Sequence, residues 1–307
     1  MACDTLCDLS DSLLTQILLN LPTKDSVNTS FLSKRWRNLW LCVLGLHLRT
    51  RDFYPYKEVF QRFMDQFMEF NHRSRLQKFD IVYYDFESYR DRFLELISTV
   101  VDHGIQHLEF FMYPCNIDDF LRQKFYKSNT LVSLKLRNVE LKNLEFAVSL
   151  PCLKILHLYK VCYDIDGPLV VEKLILGCPV LEDLELVIPF NIGCGKFRLL
   201  LRVRSQTLKI CSFRFGFSRG NTYFTVEIDA PRLKYMSLSG NQSDNIVIKN
   251  LSSLLMINIH TNTDLMYPLT PEGLRKRSIF CDFLTGISSV RRMIICEETL
   301  EINIYII

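Results

Sequence analysis

Residues 32–40 read LSKRWRNLW and interleave Lys34, Arg35 and Arg37 with both tryptophans of the chain, Trp36 and Trp40. Cations alternating with rings suit a single-stranded nucleic-acid platform, the charges meeting phosphates and the rings stacking on bases. The same pattern on one amphipathic helix suits a partner-docking segment. His103 and His107 stand at the i, i+4 spacing that lets two imidazoles share a metal on a helix. Gly104, Ile105 and Gln106 between them supply no glutamate for a general base, and His107 falls inside a strand-like pattern, so a surface role is expected. IGCGKF at 192–197 resembles a phosphate loop only superficially, because the full spacing and a hydroxyl residue after the lysine are missing. Arg275, Lys276 and Arg277 read as a solvated loop. Eleven cysteines are scattered without a C-x-x-C pair, which argues against a disulfide framework or a zinc site. Cys211, inside LKICSF, reads as a small hydrophobe. No cysteine or carboxylate pair stands in a catalytic setting, so no catalytic residue, metal or cofactor is expected.

Bulk properties narrow the class. With 48% hydrophobic and 23% charged residues over 307 positions, the chain is expected to fold as two domains, or as a small module plus an array. A net charge of +3 is too small for a dedicated nucleic-acid binder. MACDTLCDLSDSLL has acidic residues and no basic segment leading into an apolar core, and no apolar run approaches the length of a membrane span. Cysteine usage fits a reducing compartment. The expectation is a soluble intracellular protein with neither nucleic acid nor membrane as partner.

The elements that position the basic-aromatic stretch are helical. Leu13, Leu14, Ile17, Leu18 and Leu21 fall at helical spacing, with Ser10 or Asp11 able to cap the start and Pro22 ending the helix. Thr23 is expected to cap a second short helix over 24–28. A third begins near Ser33 and sets Leu32, Trp36, Leu39 and Trp40 on one face. Three helices in so short a span bury little, and the leucines supply more apolar surface than such a bundle hides, which points to a docking face.

The run LSDSLLTQILLNLPTKDSVNTSFLSKRWRNLW, residues 8–40, resembles an F-box as found in plant F-box/leucine-rich-repeat proteins. The resemblance implies binding to a Skp-family adaptor and, through it, to a cullin. By position, the adaptor-facing residues it implies are Leu9, Leu13, Leu14, Ile17, Leu18, Leu21, Pro22, Leu32 and Trp36. The family usually has Leu-Pro at the start of the first helix, where this chain has Leu9-Ser10. Loss of the proline is expected to loosen the first turn and weaken adaptor binding, although Ser10 remains a competent cap.

Beyond a connector over 49–75, helical from Lys57, one template of three apolar residues recurs. It runs Leu76/Phe79/Ile81, Ile105/Leu108/Phe110, Leu131/Leu134/Leu136, Leu153/Leu156/Leu158, Leu181/Leu184/Leu186, Leu208/Cys211/Phe213, Leu233/Met236/Leu238, Leu254/Ile257/Ile259 and Val290/Met293/Ile295. The offsets are 29, 26, 22, 28, 27, 25, 21 and 36, all but the last in the leucine-rich-repeat range. The last implies an insertion around 266–272. The predicted fold class is α/β: a three-helix F-box over 1–48, the connector, a solenoid of parallel strands with outer helices over 76–296, and a terminal segment over 297–307. Returning helices are expected from Asp91, Asp118 and Val170. The strand-closing asparagine is present only as Asn241 and Asn262, so the solenoid should be irregular. GCPVLEDLEL at 177–186 also resembles the same family, many members of which continue into an FBD region; TLEINIYII stops at Ile307, leaving little room for one and suggesting a short or truncated member. That ending is expected to be an exposed strand edge.

Residues alternating with the template form the open face. Those expected to bind a target protein are His107, Lys135, Arg137, His157, Tyr159, Asp183, Glu185, Arg214, Tyr235 and His260. The expected function is the substrate-recognition subunit of an SCF-type cullin ubiquitin ligase, in nucleus and/or cytoplasm, itself not an enzyme. The alternatives are a binding scaffold outside any ligase, a degenerate family member, and nucleic-acid binding through Lys34–Arg37, which would weaken steeply with salt.

Overall fold

The computed structural model describes residues 6, 8–54, 56–70, 76–84, 90–113, 123–141, 145–163, 167–188, 198–215, 223–241, 245–262, 278, 281–288 and 290–296. IGCGKF, the 266–272 loop, Arg275–Arg277, the terminal TLEINIYII and most of the segment from Asp118 lie outside the described residues. The chain divides into two compact units, Met1–Pro114 and Cys115–Ile307.

In the first unit, helix α1 (Asp11–Leu19) starts where the Ser10 hydroxyl accepts from the Leu13 amide. It stops before Pro22, whose ring disfavours helical angles at Leu21. Helix α2 (Thr23–Asn28) follows directly, with Pro22 at its N-cap and no side-chain cap bond. Thr23 is therefore not the cap expected from sequence; its hydroxyl accepts from the His47 amide at 2.8 Å. The expected third α-helix is instead a 3₁₀ helix over Trp36–Cys42. Leu14, Leu18, Trp36, Leu39 and Val43 close the core of this helical module, with Leu9, Leu19 and Leu21 packed around it.

Strand β1 (Gly45–Arg49) had no counterpart in the template, yet pairs in parallel with β2 (Lys78–Tyr84), which pairs with β3 (His107–Tyr113). Helix α3 (Lys57–Phe70) follows β1, and α4 (Arg90–Asp102) joins β2 to β3 as expected. Trp40 stacks on Phe63 of α3, with centroids 6.5 Å apart. Leu46, Phe79 and Leu108 form one buried row across these strands, and Leu48, Ile81 and Phe110 the next. Buried Thr50 accepts from the Tyr84 amide at 2.8 Å, which satisfies a backbone donor at the strand end.

In the second unit the template residues form parallel strands in register: β4 (Ser133–Arg137), β6 (Ile155–Tyr159), β8 (Asp183–Ile188), β10 (Ile210–Phe215), β12 (Tyr235–Asn241), β14 (Met256–Asn262) and β15 (Arg292–Ile295). The second and third template residues point inward on every strand from β4 to β14, where none is more than 2% exposed. The carbonyls just before β6, β8 and β10 each accept two amides of the next repeat: Lys154 O takes Glu182 and Asp183, Glu182 O takes Lys209 and Ile210, and Lys209 O takes Lys234 and Tyr235. Two short strands, β5 (Glu140–Leu141) and β7 (Cys162–Tyr163), pair with each other, and α5 (Gly167–Leu176) returns as expected. The next three returns are strands: β9 (Arg198–Arg204), β11 (Tyr223–Asp229) and β13 (Asn245–Asn250) form a second parallel sheet in the order β13-β11-β9. Its inner side buries Leu201, Val203, Val226, Ile228 and Ile246.

Candidate functional site

The nine residues carried over as adaptor-facing divide by burial. Leu14, Leu18 and Trp36 are 0, 1 and 8% exposed and make the module's own core, and Leu9 and Leu21 are half-buried against it. Leu13, Ile17, Pro22 and Leu32 are exposed. Leu13 and Ile17 are one turn apart on α1, so they share its outer face. Phe31, which sequence reasoning missed, is 87% exposed. An aromatic ring that far from any core is the kind of anchor that protein interfaces bury. Its signal in the sequence was position: Phe31 follows α2 directly, where the short 3₁₀ turn Thr29–Phe31 has no core to face.

Arg35 explains the basic character of the neighbouring stretch. Its guanidinium donates to Asp11 Oδ1 from Nε at 2.9 Å and to the Leu9 carbonyl from Nη2. The cation thus clamps the start of α1, where Asp11 also complements the helix dipole. With Trp36 buried and Trp40 stacked on Phe63, neither tryptophan presents a free ring for a base. Lys34 and Arg37 remain on the surface.

The second surface is the open face of the strand stack in the second unit. Register sets three rows across it. The first runs Ser133, Ile155, Asp183, Ile210, Tyr235, Met256, Arg292; the second Lys135, His157, Glu185, Ser212, Ser237, Asn258, Ile294; the third begins Arg137, Tyr159, Val187, Arg214, Ser239, His260. Nine of the ten predicted target-binding residues lie in these rows, whereas His107 belongs to β3 of the first unit. Six of the nine touch. The Arg137 guanidinium lies 4.3 Å over the Tyr159 ring, and the Tyr159 hydroxyl donates to Glu185 Oε2 at 2.7 Å. His157 stands between carboxylates, Nε2 3.2 Å from Asp183 Oδ2 and Nδ1 3.9 Å from Glu185 Oε2. The Nε2 contact is out of line for a hydrogen bond, so it is electrostatic. Arg214 reaches Glu185 at 3.8 Å, weakly, because the arginine is 60% exposed. Tyr235 and His260 sit farther along their rows. Sequence reasoning passed over Ile155, Ile210 and Met256, which share the first row.

Chemistry beyond binding finds little support among the described residues. His103 ends the turn after α4, its Nδ1 2.7 Å from the Thr99 carbonyl, and His107 opens β3, so the two share no helix. Among the described residues, no group of three His, Cys, Asp or Glu side chains is arranged to hold a metal ion. Burial pushes the Cys178 thiol up to about 12 and the Cys211 thiol higher still, the reverse of what a nucleophile needs. Among the described residues, no helix is long and apolar enough to cross a membrane.

Comparison with known proteins matches two stretches of the chain to family models. Residues 6–43 match the F-box domain, and residues 94–263 match the leucine-rich repeats of FBD-associated F-box protein At5g56370. The chain is 62% identical over 300 residues to F-box/FBD/LRR-repeat protein At5g44980 of Arabidopsis thaliana, covering 97% of this chain and 68% of that protein. It is 60% identical over 303 residues to putative F-box/FBD/LRR-repeat protein At5g44960 of the same plant, with 97% and 68% covered. To F-box/FBD/LRR-repeat protein At2g26030, also of Arabidopsis thaliana, it is 49% identical over 307 residues, with 98% and 69% covered. A helical module with an outward apolar face, joined to leucine-rich strands in register, thus belongs to the F-box/FBD/LRR-repeat protein family.

Proposed function

We propose that this F-box protein is the substrate-recognition subunit of an SCF-type cullin ubiquitin ligase. The F-box module docks a Skp-family adaptor, the adaptor links the chain to a cullin, and the open face of the repeats holds a target protein. The chain performs no bond chemistry itself. It raises the local concentration of target lysines near a charged conjugating enzyme, which converts a bimolecular encounter into a local one. The work is proposed for the nucleus and/or cytoplasm.

The observation that carries this reading is the exposed apolar group Leu13, Ile17, Phe31 and Leu32 on a module whose own core is already closed by Leu14, Leu18, Trp36, Leu39 and Val43. Isolated surface leucines are ordinary, but a group of this kind on so small a module favours a partner. Burying a ring as exposed as Phe31 contributes about 2 kcal/mol.

Co-purification of the full chain with a recombinant Skp-family adaptor tests the proposal. Wild type is expected to capture adaptor, and Phe31→Ala to weaken capture ten- to a hundredfold, about 1.4–2.8 kcal/mol. Thermal stability should change by no more than about 0.5 kcal/mol in that variant. Leu14→Ala should instead cost about 2–5 kcal/mol of stability, because it opens a cavity. The Ser10 backbone, at φ −67°, already suits proline, so Ser10→Pro should fold. Adaptor captured by Ser10→Pro but not by wild type would remove this chain from the ligase and leave a binding scaffold.

A further inference from the structure

The proposal above leaves the target's chemistry open, and the first row of the open face speaks to it. From β6 to β14 that row is Ile155, Asp183, Ile210, Tyr235 and Met256. It is an apolar stripe broken by a single acid. Ile210 is 41% exposed, and neighbouring Leu255 is 42% exposed. Asp183 is flanked in register by Ile155 on one side and Ile210 on the other.

The charges around Asp183 are unevenly satisfied. Glu185 has the Tyr159 hydroxyl and Arg214. Lys209 pairs with Glu182 at 2.9 Å, and Arg137 lies on the Tyr159 ring. Asp183 meets the imidazole of His157, and among the described residues no lysine or arginine pairs with it. A carboxylate set between two isoleucines, with no lysine or arginine paired to it among the described residues, favours a cation from outside. An ammonium or guanidinium on an aliphatic stem fits best, because its methylenes can lie on Ile155 and Ile210 while the head meets the acid.

The ground beside the stripe is low. Ser212, Ser237 and Ser239 occupy the second and third rows on β10 and β12, between Ile210 and Tyr235 on one side and Arg214 and His260 on the other. Their hydroxyls can both donate to and accept from the backbone groups of an extended chain. Asn258, next to Ser237 in the second row, has a buried carboxamide oxygen that receives no donor among the described residues. Four strand spacings from β6 to β14 span about 19 Å. An extended segment of about six residues covers that length.

We infer that the open face from β6 to β14 takes an extended segment of the target with one lysine or arginine over Asp183, followed by apolar side chains over Ile210, Tyr235 and Met256. This rests on the reading of the repeats as the target-binding part. Nearby Glu185 extends the negative ground beneath the same cation, and the serines hold the segment's backbone.

The test uses the full chain co-purified with its adaptor, so that failure of adaptor capture is scored separately from failure of the face. Fluorescein-labelled peptides carry one fixed position, lysine or glutamate, followed by either leucine and valine or serine and glycine, and binding is read by anisotropy. The lysine-apolar peptide is expected to bind at least tenfold more tightly than its glutamate or serine-glycine counterparts. Asp183→Lys should invert the preference, and the nearly isosteric Asp183→Asn should abolish it while leaving the melting temperature within a few degrees. Equal binding of lysine and glutamate peptides, no binding of either, or a preference untouched by both substitutions would overturn the inference.

Discussion

Asp80 illustrates how a single residue on a strand face carries information about the chain's response to pH. It lies in register with His47 and Glu109 across β1, β2 and β3, and His47 Nδ1 approaches its carboxylate at 2.6 Å. Burial holds its pKa above 3.8, with Glu109 pushing the same way, and this outweighs the lowering by His47 and Lys78. The folded form therefore keeps the proton to higher pH than the unfolded chain. The contribution of Asp80 to stability is greatest below 3.8 and is lost as pH rises through the folded value. Asp80→Asn mimics the protonated form and should gain stability relative to wild type as pH rises, reaching a plateau once wild type is ionised. Denaturation midpoints of both proteins from acidic to neutral pH measure the difference; a difference independent of pH would assign Asp80 no part in it. Asp80 alternates with the template residues Phe79 and Ile81, which places it on the open face, but its burial depends on β1, a strand outside the repeat template. Arg35 was similarly opaque: its role as a clamp requires Leu9 and Asp11 to lie beside it, a proximity with no local signature.

At the scale of elements, two strand ends show what the backbone demands. Asn138 and Lys160 follow β4 and β6 at equivalent positions, and both are left-handed, with φ of 54° and 48°. Asparagine tolerates this region because its short polar side chain can bond locally, whereas lysine has no such compensation. Lys160→Asn should therefore stabilise the second unit by about 0.5–1 kcal/mol, read as a rise in melting temperature; a fall would show that Lys160 is held by something other than its backbone. Gly240 on β12 is the stricter case: at φ +102°, an added Cβ would lie 1.8 Å from the Phe215 carbonyl oxygen. The repeat strands were legible because alternation with period two fixes which side is buried, and spacing fixed the order. The β9 return was not, because a short apolar run such as Leu199–Leu201 satisfies a buried strand or a buried helix equally well, whereas the alternation at Phe224–Ile228 in β11 was a strand signal that the repeat template passed over. Pairing across repeats decides between them, and pairing is a tertiary fact. The 3₁₀ form of Trp36–Cys42 escaped for a related reason: a tight helix and an α-helix place Trp36 and Leu39 on nearly the same face.

For the whole molecule, the cysteines report how far the repeats open together. In a solenoid each repeat rests on its neighbours, so a buried side chain in the middle is reached only when adjacent layers separate. Cys178 and Cys211 are 2% and 0% exposed in the second unit, while Cys152 and Cys281 of the same unit are on its surface. Two barriers protect the buried pair. Burial pushes the Cys178 thiol up to about 12, so very little of it is ionised at pH 8 in the folded state. Cys211, pushed up further by burial and by the nearby Asp183 carboxylate, is ionised still less. Because the thiolate is the reactive form, alkylation of either should proceed through opened molecules, where an ordinary thiol pKa is restored. Iodoacetamide labelling followed by mass spectrometry should therefore modify Cys152 and Cys281 rapidly and Cys178 and Cys211 slowly. Leu184→Ala, in the β8 row that packs between those of Cys211 and Leu156, should accelerate both slow sites together by lowering the cost of opening about 2–5 kcal/mol. Acceleration at Cys211 alone would mean that the repeats open one at a time, whereas coupled acceleration makes the stack one cooperative body and its open face a single rigid platform.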